Sequence, residues 1–159
     1  MSAAHLHLIL NHVPVLGTFF AATILAIALV LRHPAFQKVA LVFFVGLGLS
    51  GVAVYLSGER AAAAIRLLPG IAVPSIQGHE EAGEAAFVFL SLLGAAALLL
   101  LILYRGDRPL PLGAGIGILF FALIVLILAA RAAWIGGHIR HPEIWSGAAI
   151  GARHGGAPT

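Results

Sequence analysis

Cysteine is absent from this chain. Its absence excludes disulfides, thiolate metal sites, iron–sulfur clusters and covalently attached haem, so any metal has to be held by histidine, carboxylate or backbone oxygen. Charge is scarce as well: charged residues make up 9% of the 159 residues and hydrophobic ones 61%. A soluble domain carries about a quarter charged residues, and one of this size has too little interior to hide so much apolar surface. Runs of Lys and Arg are also missing; the high isoelectric point reflects nine Lys and Arg against six Asp and Glu, spread thinly. Nucleic acid is therefore excluded as a partner, and the lipid bilayer is the expected one.

What is present is four long apolar runs, about 6–31, 38–57, 82–104 and 112–135. Each reaches the roughly 20 residues that a helix needs to cross a hydrocarbon core of about 30 Å. They lack the alternation of strands, and in lipid only helices or closed barrels satisfy the backbone, so the runs predict helices. "RHPAFQK" parts the first two and "RGDRPLP" the last two; a polar "SGER…GHEE" region lies between the middle pair. The expected fold is all-α, an integral membrane four-helix bundle over 1–145 followed by a flexible tail at 146–159. The interrupted segment 61–78, with Pro69 and Pro74, is expected to form a short lid helix lying on the surface.

A cleaved signal peptide is not expected, because "MSAAH" has no basic region and the apolar run after it is too long. The flanking cations divide evenly between the two sides. The first run has its own only at the C-terminal end, Arg32 and Lys38. By the positive-inside rule the short connectors are then cytoplasmic and both termini lie on the outer side of a bacterial inner membrane.

In that topology His5, His7, His12, His79, His138, His141 and His154 fall at one membrane face, and only His33 at the other. Helical rise converts sequence into depth. His12, Glu84 and Arg131 each lie roughly 30 Å above the cytoplasmic end of their helix, and His5, His7, His79, Glu80 and His138 about 10 Å higher. Two polar layers are expected: an inner one of His12, Glu84 and Arg131, with Glu59 above, and an outer one of histidines. Arg131, Trp134, His138 and His141 recur at helical spacing, as do Glu80 and Glu84, and polar stripes in a membrane bundle point inward. Each feature taken alone has a plainer explanation. Single histidines are common at headgroup depth, Glu84 with Arg131 is equally well a register-fixing ion pair, and glycines serve close helix packing. Convergence of seven histidines is what those explanations leave over.

Facing histidines are the usual way to grip b-type haem without cysteine. The candidate cofactor-binding residues are His7, His12, His79 and His141, with Arg131 and Arg140 for the propionates, and small residues such as Gly46, Gly48, Gly51, Gly58, Gly83, Gly136 and Gly137 to admit a porphyrin. The preferred ligand pair is His79 with His7 or His141. A non-haem ion is the alternative: His5, His7, His79, His138 and His141, with Glu80, Glu84 or Glu143, suit iron, copper or zinc. Without a metal, His12, Glu84 and Arg131 offer a proton relay or quinone pocket.

The motifs "LHLILNHVPVLG", "GHEEAGEAAF" and "ARAAWIGGHIRHPEI" resemble those of a group of small bacterial four-helix membrane proteins of unassigned function. That group shares an NH-x-P start to its first helix, a histidine heading the third, and IRHPEI after the fourth. It is similar, more distantly, to membrane proteins built on domains of unknown function. The resemblance extends to about Ile144, implies the four-helix fold and marks His12, His79 and His141 as motif histidines; it implies no activity. The reading from residues is a non-catalytic electron-transfer subunit carrying haem b, partnered by a periplasmic redox protein, a larger membrane complex or a quinone. A His/Glu metal protein, or a cofactor-free accessory subunit of a respiratory or transport complex, is the alternative.

Overall fold

The computed structural model describes residues 3–66 and 73–140, with side chains over 5–66 and 76–137. The expected tail at 146–159, together with His141, Glu143 and His154, lies outside the described residues. Among the described residues all regular structure is helical: α1 (Ala3–Leu10), α2 (His12–Val30), α3 (Pro34–Ile65), α4 (Val73–Leu103) and α5 (Leu112–Arg140). The first two helices follow one another in a single apolar stretch broken at Asn11. Pro14 has no amide hydrogen to give the Leu10 carbonyl, so the helical ladder is interrupted there. Four stretches, His5–Val30, Pro34–Ile65, Ile76–Leu103 and Leu112–Gly137, are long and apolar enough to cross a membrane. This is a multi-pass membrane protein.

The helices run up and down in sequence order, with α2 packed on α3 and α5, α4 on α3 and α5, and α1 on α3. The core is a column of small and aliphatic side chains: Ala21, Leu25, Ala40, Leu41, Phe44, Leu93, Ala97, Ala122 and Val125. Where α3 crosses α4 the backbones nearly touch; a Cβ on Gly48 would lie 3.1 Å from the Gly94 Cα. Large apolar side chains such as Phe20, Val30, Leu49, Phe120 and Ile127 cover the outside, a surface suited to acyl chains.

Two helix bounds depart from the sequence expectation. The "SGER" segment does not break α3. Ser57 turns its hydroxyl back to the Val54 carbonyl (2.8 Å), and the four alanines after Arg60 are strong helix formers, so α3 runs on to Ile65. α4 in turn begins at Val73, with Pro74 in its first turn where a proline costs no helical bond. The segment 61–78 is thus not one lid helix: 61–65 finishes α3 and 73–78 starts α4.

At the end with the short connectors the chain turns twice. Arg32 adopts φ 51°, His33 donates to the Ala28 carbonyl (2.9 Å) and Arg32 to that of Leu29 (3.2 Å). This is the paired closure of a helix through a left-handed residue. Gly106, at φ 68°, takes the corresponding conformation in the second connector without a side-chain penalty. Gln37, 2% exposed, ties the two turns together. Its Nε2 donates to the Ala28 carbonyl (3.3 Å) and its Oε1 accepts from the Leu110 amide (2.8 Å).

Candidate histidine site at one end of the bundle

At the opposite end, His7 of α1 and His79 of α4 meet with ring centres 6.0 Å apart and planes at 75°. Each ring is half-buried. Hydrogen bonds orient both. His79 Nδ1 lies 2.9 Å from the Ala132 carbonyl on α5, which only accepts, so Nδ1 carries the hydrogen. His7 Nδ1 lies 3.1 Å from Ser57 Oγ. The Ser57 hydrogen is already committed to the Val54 carbonyl, so His7 Nδ1 is again the donor. In its neutral form each ring then holds its lone pair on Nε2.

Backbone fills the space beside each ring. A Cβ on Gly58 would lie 3.1 Å from the His7 Cε1, and one on Gly136 only 2.8 Å from the His79 Cε1. These two glycines let the imidazoles lie close against α3 and α5. One turn from His7, the buried Asn11 Oδ1 has no hydrogen-bond partner among the described residues. The Asn11 amide itself donates to the His7 carbonyl (2.9 Å), so this residue couples the histidine to the break between α1 and α2.

Two imidazoles bound through nitrogen to one metal at about 2.0 Å have centres roughly 5–6.5 Å apart, from a tetrahedral to a trans arrangement. The observed separation falls inside that range. An Nδ1–H held by a carbonyl or hydroxyl, with Nε2 left over, is also the usual state of a metal-ligating histidine. Among the described residues no group of three or more His, Asp or Glu is placed to hold an ion, so His5, Glu80 and Glu84 do not join the pair as a ligand cluster. The side chains of His138 and Arg140, like all of His141, lie outside the described residues.

The expected inner layer is not assembled. His12 is exposed, and its Nδ1 donates to the carbonyl of Leu8 in its own helix (2.8 Å). Glu84 and Arg131 are both exposed, and no ion pair joins them; the ion pair among the described residues is Arg66 with Glu80. Glu84 lines a polar groove of about 540 Å³ between α3 and α4 with Tyr55, Glu59, Arg66, Glu80 and Glu81. Three residues expected at one depth on three helices need not share an azimuth.

Three parts of the site were not found by sequence reasoning: Ser57, the Ala132 carbonyl and the role of the two glycines as imidazole rests. Ser57 had a usable signal, since a helix continued through "SGER" puts it at the height of His7. The carbonyl had none. Helices α2 to α5 are apolar around most of their circumference, so periodicity marks no inward face. No known protein family, curated protein or solved structure matches this chain.

Proposed function

We propose that this protein is a membrane-bound b-type haem protein, a non-catalytic electron-transfer subunit in which His7 and His79 would hold the haem iron. The observation that carries the reading is the imidazole pair: two rings from different helices, 6.0 Å between centres, each with Nδ1–H engaged and Nε2 in reserve. A porphyrin brings four nitrogens of its own and asks the protein for two imidazoles, which is what the pair offers. Bound there, haem would supply reversible one-electron transfer. The chain's own contribution is orientation. Ser57 and the Ala132 carbonyl fix the rings and make each Nε2 a better donor, while Gly58 and Gly136 keep the backbone close. Arg131, exposed on α5 next to Ala132, would be a counter-charge for a propionate.

In this reading both termini and the histidine pair face the periplasm of a bacterial inner membrane, where a periplasmic redox protein, a quinone or a larger membrane complex exchanges the electron. An active alkaline phosphatase fused to the C-terminus supports that orientation; an inactive fusion alongside a fluorescent green one reverses it. A single iron, copper or zinc ion is the second reading, favoured by the same ring separation, which a tetrahedral pair also reaches. The visible spectrum of the purified protein separates the readings. A Soret band that shifts on reduction and is lost in His79→Ala supports haem. A colourless sample with stoichiometric metal supports the ion. A sample with neither leaves an accessory bundle.

A further inference from the structure

A second feature lies on the outside of the bundle and is independent of the histidine pair. The lipid-facing side of α3 carries a groove of about 570 Å³, walled by Val42 and Phe43 and by Val13 of α2, with Gly46 in its floor. Lys38 stands at one end and Ser50 at the other. We propose that this groove is a binding site for one anionic phospholipid, its acyl chain along α3 and its phosphate at Lys38.

Length is the first argument. Twelve helical residues from Lys38 to Ser50 span about 18 Å, close to half of a hydrocarbon core of about 30 Å. Lys38 stands one turn inside the start of α3, at headgroup height, so the groove runs from the membrane surface to the midplane. An acyl chain has that reach. A transmembrane helix would have to continue past Ser50 across the other leaflet.

Charge is the second. Lys38 is the one charged residue lining the groove. It is half-buried, with no hydrogen bond or ion pair among the described residues. An ammonium whose stem lies along apolar side chains attracts an anion at its tip. The deep end offers nothing polar, because the Ser50 hydroxyl is turned back to the Leu47 carbonyl (2.8 Å). Polar head and apolar floor match a phospholipid. The same charge opposes a symmetric dimer through this face, since two copies with one membrane orientation would set Lys38 against Lys38.

The floor permits a clean test. A Cβ on Gly46 meets nothing within 4 Å, so Gly46→Leu fills the groove without disturbing the bundle. Native mass spectrometry of the detergent-purified, delipidated protein, titrated with palmitoyl-oleoyl phosphatidylglycerol and with the matching phosphatidylcholine, reads the site. The wild type should retain one phosphatidylglycerol and prefer it over phosphatidylcholine by about fivefold, the weight of one lysine at the membrane surface. Lys38→Gln should bind both lipids equally. Gly46→Leu should lose the adduct at the concentration that half-fills the wild type without lowering its unfolding temperature. An unchanged adduct in Gly46→Leu, or no headgroup preference in the wild type, overturns the site. A wild-type dimer that Gly46→Leu converts to monomer overturns it too, and assigns the groove to a second copy of the chain.

Discussion

Gln37 and the His7–His79 pair are polar groups buried, wholly or in part, at opposite ends of one apolar bundle, and they are bonded differently. Gln37 is 2% exposed, and its amide is engaged at nitrogen by the Ala28 carbonyl and at oxygen by the Leu110 amide. Its partners are backbone groups at helix ends, the Ala28 carbonyl and the Leu110 amide, so it closes connectors. The histidines engage one nitrogen each and leave the other. A polar side chain engaged at both ends of its amide locks structure; one held in orientation with a donor atom in reserve is equipped to bind something. The comparison gives the two ends different jobs, and substitutions can break it.

The largest effect is expected at His79. His79→Ala removes one of the two Nε2 donors and should abolish cofactor content, measured by absorbance and by metal analysis, while circular dichroism of the bundle stays unchanged. Full haem or metal content in that variant would mean that the histidine-rich end is only headgroup decoration. At the other end Gln37→Leu should do the reverse. It strands the Leu110 amide in the interior, at a cost of about 1–3 kcal/mol, read as a lower unfolding temperature in detergent with cofactor content per folded protein unaltered. Loss of cofactor there would show the two ends to be coupled.

A finer distinction sits inside α5. Gly136→Ala drives a methyl against the His79 ring, whereas Gly137→Ala has open space around it. Cofactor retention should fall roughly tenfold in the first, as for loss of a ligand's supporting contact, and stay at wild type in the second. Helix stability should rise slightly in Gly137→Ala, since alanine is the better helix former, and not in Gly136→Ala, where the methyl meets the ring. Equal retention in the two would remove Gly136 from the site. The smallest effect belongs to Arg32, held at φ 51°. Arg32→Gly relieves the left-handed strain and should stabilise by up to about 1 kcal/mol; a lower unfolding temperature instead would show that the Arg32 side chain makes a stabilising contact larger than the strain.

Much of this was legible in the residues. The four apolar spans and the placing of His7 and His79 at one end followed from hydropathy and from the fixed rise of a helix, both properties of the chain alone. The reading failed where a local bond outweighed a pattern. His12 is expected to share a layer with Glu84 and Arg131, yet its ring turns back to the Leu8 carbonyl, a partner within its own helix that needs no neighbour. The "SGER" segment looks like a break, and the Ser57 hydroxyl, bonded to Val54, instead belongs to a continuing helix.

Sequence by itself determined that the chain is helical, how many times it can cross a bilayer and how far along its helix each polar residue sits, because apolar length and helical rise are set one residue at a time. Tertiary structure alone decided which residues at a given depth meet. These helices are apolar on most of their circumference, so nothing in the sequence marks the side that turns inward. That rotation is set by interlocking contacts such as Gly48 on Gly94, His7 on Gly58 and His79 on Gly136, and close packing between helices is a property of pairs of surfaces, which no single helix contains.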